Sequence, residues 1–347
     1  MENLIRVGIT HGDINGVGYE IIIKALMDAR LMDVCTPIVY GSSKVLAYHR
    51  KALNIDNFSL NTVMEAREAN PKRASIINCV DDSVRVELGK PSKMAGEAAF
   101  MALEKAVQDL TEHKIDVLVT APINKSTIQR EGFEFPGHTE YLQTKFEEKE
   151  ALMLMVGPNL KVGVVTGHIP LSEVPGKVTK ELILKKLHLM NTSLKNDFSI
   201  RKPRIAVLGL NPHVGDMGLI GKEEAEIIEP AIKQAREENI VALGPYSADG
   251  LFGTPNYSKF DAILAMYHDQ GLAPFKALAF ESGVNFTAGL PVIRTSPVHG
   301  TAYEIAGAGK ASAESLRQAI YLAIDTFKTR KANRELVRNS IPSAGSK

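Results

Sequence analysis

Three apolar runs in this chain each end in a histidine after a short polar tail. Val162–Val165 leads through Thr166-Gly167 to His168, Ile205–Leu208 through Gly209-Leu210-Asn211-Pro212 to His213, and Ala262–Met266 through Tyr267 to His268. A continuous apolar run of this length reads as a buried parallel strand, and ligands of open α/β sheets bind outside the carboxyl ends of such strands. Neutral imidazole suits Zn, Co, Fe or Ni, and three protein ligands leave a position open for water or substrate. The separations match no local zinc motif, so repeated context carries this expectation. Taken singly, each histidine reads more readily as a hydrogen-bonded structural residue than as a ligand.

Other polar groups fall in similar places. Lys276, Asn285 and Arg294 follow His268 at short intervals, each beside an apolar run. A lysine and an arginine facing one pocket suit a phosphate or carboxylate, which arginine can grip in a fork. His138-Thr139 opens a predicted helix after a turn at Phe135-Pro136-Gly137, and the free N–H groups of a helix start favour an anion. Asp249 and Asp269 could bind metal, orient a histidine or cap a turn, and the sequence does not separate these roles.

The elements that must position these groups alternate. Strands are expected at Leu4–Ile9, Pro37–Tyr40, Ala74–Val80 and Ile115–Val119, and a hairpin-like pair at Leu152–Val156 and Val162–Val165. Helices are expected from Gly16-Val17-Gly18 to Arg30, and over Ser43–Leu53, Ser92–Glu112, Thr179–Leu194, Glu223–Glu238 and Ala313–Thr329, with short extended runs at Ala277–Phe280, Val284–Phe286 and Val292–Arg294. Residues 55–73 show no clean period. Strands alternating with helices of this length argue for an α/β fold with largely parallel pairing, here two α/β/α lobes. Gly16-Val17-Gly18 falls short of the dinucleotide fingerprint, Gly307-Ala308-Gly309-Lys310 falls short of a phosphate loop, and no G-x-S-x-G elbow occurs.

At 347 residues the chain is long enough for two domains, since single cores stop growing near ~250–300 residues. A net charge of +1 gives no electrostatic case for nucleic acid or an anionic membrane as partner. The basic stretch Lys328–Arg338 reads as a solvated helix end. Two cysteines, Cys35 and Cys79, both in apolar runs, suggest inert thiols in a reducing compartment. The amino terminus lacks the pattern of a signal peptide and no apolar run reaches the ~18 residues of a membrane span, so a cytoplasmic protein is expected.

The quoted residues, together with THGDINGVGYE, TAPINK, GHTEYL, TGHIPL, GLNPHVGDMGLIG, MYHDQGLAPFK and VNFTAGLPVIRTSPVHGTAYEIAG, resemble the 4-hydroxythreonine-4-phosphate dehydrogenase family of vitamin B6 synthesis over almost the whole chain. The resemblance implies that His168, His213 and His268 bind a divalent metal (Zn, Mg or Co). It implies that His138, Thr139, Lys276, Asn285 and Arg294 contact substrate. It also implies a homodimer with its site at the interface, so the three ligands need not come from one chain. The family fold is similar to that of the isocitrate and isopropylmalate dehydrogenases. On that basis residues 1–135 with 290–347 are expected to form one lobe, which holds NAD or NADP at His299, Gly300, Thr301 and Ala302, and residues 136–289 the other. The family commonly has proline and alanine where Ile14-Asn15 stand and a proline where Tyr19 stands.

The implied reaction is oxidation of the C3 hydroxyl of 4-phosphooxy-L-threonine, then decarboxylation to 3-amino-2-oxopropyl phosphate. No residue is assigned as general base. The rival readings are a dehydrogenase of D-threonate or D-erythronate 4-phosphate and, more distantly, a metal-dependent hydrolase or aldolase that turns over without NAD.

Overall fold

The computed structural model describes residues 4–81, 83–129, 135, 137–148 and 150–339. Pro136, in the turn expected before His138, lies outside them. Twelve described strands form one sheet: β1 (Ile5–Thr10), β2 (Cys35–Gly41), β3 (Asn61–Thr62), β4 (Ser75–Asn78), β5 (Val117–Thr120), β6 (Leu152–Gly157), β7 (Leu160–Val164), β8 (Arg204–Leu208), β9 (Val241–Tyr246), β10 (Ala262–Ala265), β11 (Val284–Ala288) and β12 (Arg294–Pro297). Their order is β3-β4-β2-β1-β5-β12-β11-β6-β7-β10-β8-β9.

The six strands from β3 to β12 pair in parallel, as do the four from β7 to β9. Between them β12-β11, β11-β6 and β6-β7 are antiparallel. Parallel neighbours need a long crossover, usually a helix, and these helices cover the sheet. Successive side chains of a strand face opposite ways, and the two packed sets follow that alternation. Val117 and Val119 share a core with Leu316, Ile320 and Ile324 of the helix Glu314–Asn339. Leu118 packs instead with Leu103, Val107 and Leu110 of the helix Lys93–Thr111. In the other half, Ile205, Val207 and Leu264 pack with Ile183 and Leu187, whereas Ala206, Leu208 and Ile263 pack with Leu272 and Phe275. Both halves are therefore helix–sheet–helix layers.

The helix starts are chemically marked. Ser42, Ser92 and Thr179 each accept a bond from the backbone N–H three residues on, at 3.3, 3.2 and 3.2 Å, a cap worth about 1 kcal/mol apiece. Behind the end of β1, His11 is fully buried and stacks on Tyr19 with ring centroids 5.3 Å apart; Tyr19 stacks on His49 at 5.2 Å. Gly41 leaves room for this stack, since a Cβ there would collide with the Tyr19 hydroxyl and lie 2.8 Å from the His11 ring.

Several boundaries differ from the sequence expectation. Residues 277–279 do not begin an extended run but end the helix His268–Ala279, whose Pro274 hides the helical pattern. The edge strand β9 was not expected, because Gly244-Pro245 interrupts its apolar residues. The first helix begins at Gly18 and ends at Leu26, and the last extends to Asn339, taking in the basic stretch as an exposed helical end.

Candidate active site

The three histidine-bearing strands are consecutive, parallel neighbours in the sheet, in the order β7-β10-β8. Their carboxyl ends open on the same edge. His168 and His268, from β7 and β10, stand with ring centroids 5.7 Å apart. Burial, then the charge of Lys125, lowers the pKa of His168 below its ordinary value, which leaves the neutral imidazole that ligates metals. Nζ of Lys125 lies 3.3 Å from His168 Nε2. His268 Nδ1 is 2.6 Å from Asp269 Oδ1, a carboxylate partner of the kind that fixes a ligand ring. Gln270 ties the neighbouring strand ends together: its carbonyl accepts from Met266 N and its amide donates to Gly209 O, both at 2.7 Å.

His213 does not join the pair. It sits exposed in the turn Pro212–Gly218 beyond β8. Among the described residues, no group of three or more His, Cys, Asp or Glu side chains stands close enough to hold a metal ion. One chain thus supplies two converging imidazoles, a donor set that fits part of a divalent-metal site.

Beside them lies a cleft of about 480 Å³ whose lining includes Lys125, His138, Thr139, His168, Asn285 and Arg294. Four of the five residues expected to contact substrate are brought together here. Arg294 is 3% exposed. Its Nε and Nη2 donate to Thr120 Oγ1 at 3.0 and 2.7 Å, its Nη1 donates to Thr287 Oγ1 at 3.2 Å, and Nη2 lies 3.2 Å from His138 Nδ1. Among the described residues no carboxylate pairs with this guanidinium within salt-bridge distance. Burial pulls its pKa down to about 10, so it remains protonated at neutral pH. Burial first, then Arg294 and Lys125, holds His138 well below the usual imidazole pKa and hence neutral. His138 Nε2 and Asn285 Oδ1 are buried and have no hydrogen-bond partner among the described residues. A buried cation beside unsatisfied polar atoms is what a bound anion with hydroxyl or amino groups would complete.

Lys276 is not part of this lining. It is exposed on the helix His268–Ala279, near exposed Leu278 and Phe280. Sequence reasoning passed over Lys125, Thr120 and Thr287. The first two follow or end β5, so the strand-end rule that found the histidines could have found them too.

The segment His299–Ala302 is held against the loop after β1. Val17 N donates to Thr301 O at 3.0 Å, and a Cβ on Gly16 would lie 2.6 Å from that oxygen. The Gly16-Val17-Gly18 run therefore serves close backbone approach. Ala302 takes a left-handed conformation, φ 44°. The Tyr303 hydroxyl donates to Asp13 Oδ2 at 2.6 Å and accepts from Asn124 Nδ2 at 3.0 Å, joining the loops after β1, β5 and β12. Burial first, then its bond to Asp13, raises the pKa of Tyr303, so the hydroxyl keeps its proton. Tyr303→Phe leaves the buried Asp13 oxygen without this donor, and a loss of about 1–3 kcal/mol in urea-denaturation stability is expected. An unchanged midpoint would show the bond to be dispensable.

The family model for the pyridoxal phosphate biosynthetic protein PdxA matches residues 33–323. A 4-hydroxythreonine-4-phosphate dehydrogenase of Bacteroides thetaiotaomicron is 58% identical over 332 residues, which is 95% of this chain and 91% of that protein. A protein of Oceanobacillus iheyensis, provisionally named D-threonate 4-phosphate dehydrogenase, is 41% identical over 93% of this chain and 98% of its own. The crystal structure of a 4-hydroxythreonine-4-phosphate dehydrogenase from Klebsiella pneumoniae has a TM-score of 0.81 at 34% identity, covering 93% of this chain and 99% of that one. On the family match over residues 33–323 and the identity to these relatives, this chain belongs to the PdxA family of pyridoxal phosphate biosynthetic proteins.

Proposed function

We propose that the chain oxidises the C3 hydroxyl of 4-phosphooxy-L-threonine with NAD or NADP and decarboxylates the product to 3-amino-2-oxopropyl phosphate, a step of vitamin B6 synthesis. The observation that carries this reading is the buried Arg294, without a carboxylate partner among the described residues, lining one cleft with His168 of the His168–His268 pair. Arg294 and Lys125 draw the anionic ends of the substrate into the cleft. Neutral His138, Thr139 and Asn285 supply hydrogen bonds that fix the C3 carbon relative to the two imidazoles. His168 and His268 would hold a divalent ion (Zn, Mg or Co), which when bound would supply Lewis-acid chemistry for the C3 oxygen. His299, Gly300, Thr301 and Ala302 would hold the nicotinamide cofactor, which would accept the hydride.

His213 and Lys276 enter this reading through a second copy of the chain. Both are exposed, and exposed apolar side chains lie near them in the chain: Met217 is 99% exposed, Leu219 82% and Phe280 54%. A cytoplasmic homodimer would cover this surface and complete the ligand set. The lobes divide at 135/136 and 289/290, between strand groups that occupy separate halves of the sheet order. No described helix is long and apolar enough to cross a membrane.

The name of the Oceanobacillus relative favours one second reading, in which D-threonate 4-phosphate is the substrate. The two acids differ in carrying an amino or a hydroxyl group at C2. The test is reduction of NAD and of NADP, followed at 340 nm, with each phosphorylated acid, before and after metal removal by a chelator. Reduction should be faster with the threonine derivative, should vanish on chelation and should return with a divalent ion. Preference for D-threonate 4-phosphate would select the second reading, and turnover without a nicotinamide would reject both.

A further inference from the structure

The turn that carries His213 is built in an unusual way. His213, Val214, Gly215, Asp216 and Met217 all have positive φ, at 51°, 57°, 76°, 44° and 54°. Four of these residues have side chains, and one is β-branched, so the backbone would not hold this left-handed turn unaided. Such an outlier persists where its surroundings over-determine it, and these sites cluster at functional positions.

Glu224 lies against this turn and the chain that leads into it. Its side chain is buried, 3% exposed, under the turn. Oε1 accepts from the backbone N–H groups of Leu210 and Asn211, both at 2.7 Å, and Oε2 accepts from Asn211 Nδ2 at 3.0 Å. The two glycines that flank the histidine pack on the same carboxylate. A Cβ on Gly209 would lie 3.2 Å from Oε1, and one on Gly215 would lie 2.7 Å from Oε2. Glu224 also opens the π-helical turn Glu224–Ile228. A π-turn is a rare element, found often at functional sites. No ion pair involves this carboxylate among the described residues, and all of its hydrogen bonds are spent on the chain that leads to His213.

We propose that Glu224 is a positioning residue for a divalent-metal ligand: its carboxylate sets the left-handed turn that presents the His213 imidazole outward. The inference rests on the reading of His213 as a ligand. A carboxylate is required because every group facing it is a donor. An amide at this position would turn its own N–H donors toward Asn211 or toward the backbone.

The test is titration of Co(II) into the metal-free, full-length protein, followed by its visible d–d absorption, with thermal melting of each metal-free variant. Glu224→Gln should weaken Co(II) binding by a factor of ~10–100, the usual effect of removing an outer partner of a ligand, and should shift the absorption band. Gly215→Ala strains the left-handed turn itself and crowds the same carboxylate, without removing a polar group, and should act in the same direction. His213→Ala should weaken binding at least as much as either. If His213→Ala weakens binding while the other two variants keep the wild-type affinity and spectrum, the role of Glu224 is overturned and the ligand reading stands. If His213→Ala leaves Co(II) affinity unchanged, the ligand reading falls and this inference falls with it.

Discussion

Arg294→Ala is expected to lower kcat/KM for the phosphorylated substrate on the order of a hundred- to a thousand-fold, since truncating one partner of a buried, hydrogen-bonded charge pair costs about 2–5 kcal/mol. The guanidinium is fixed by Thr120 and Thr287, so it meets an anion with little side-chain entropy left to lose. Arg294→Lys should recover only part of the loss, because a single ammonium cannot reach both hydroxyls and keep a fork for the ligand. Steady-state kinetics on both variants, with melting curves to confirm folding, decide the matter. A kcat/KM within about threefold of wild type, less than 1 kcal/mol in transition-state terms, would remove Arg294 from the site.

A second large effect concerns stability in acid. His11 is fully buried, and burial is the main cause that lowers its pKa to about 4. Burial also lowers the pKa values of His49, His138 and His299. Each binds fewer protons in the folded chain than in the unfolded chain below the ordinary imidazole value. The fold therefore loses stability as pH falls through that value, until the folded groups themselves protonate. His11 alone should cost about 2 kcal/mol between neutral pH and about pH 5, with the other three adding to the slope. Urea denaturation at about pH 7.5 and about pH 5 measures it. His11→Asn, whose side chain does not titrate, should be less stable at neutral pH yet show a shallower pH dependence. Equal wild-type stability at the two pH values would mean that His11 is solvated or charged in the fold.

Much of this architecture is legible in the sequence, because buried parallel strands leave continuous apolar runs. The runs ending near His168, His213 and His268 proved to be β7, β8 and β10, side by side. The caps at Ser42, Ser92 and Thr179 lie at or beside the expected helix starts. What escaped has physical causes. Pro274 masks a helix that other contacts stabilise, and Gly244-Pro245 masks an edge strand. The anchoring of Arg294 by Thr120 and Thr287 depends on which strands become neighbours, and no local pattern records that. The two imidazoles that converge could be anticipated as a group. That His213 does not join them within one chain could not, because the left-handed turn that carries it depends on Glu224, eleven positions further along.

The antiparallel β11-β6 pair has a further consequence. Val284, Phe286 and Ala288 face Val156, Leu154 and Leu152 in register, and all six belong to one apolar core. Asn285 and Thr287, opposite Met155 and Met153, point to the other side, where Asn285 and Met153 line the cleft. The floor of the cleft is thus a grid, with points about 6.8 Å apart along a strand and about 4.8 Å apart between strands. Because the period is two, losing a single residue from β11 would not shift the grid by a small step. It would turn Asn285 and Thr287 into the core and Phe286 into the cleft, so this part of the site tolerates substitution far better than a change in length.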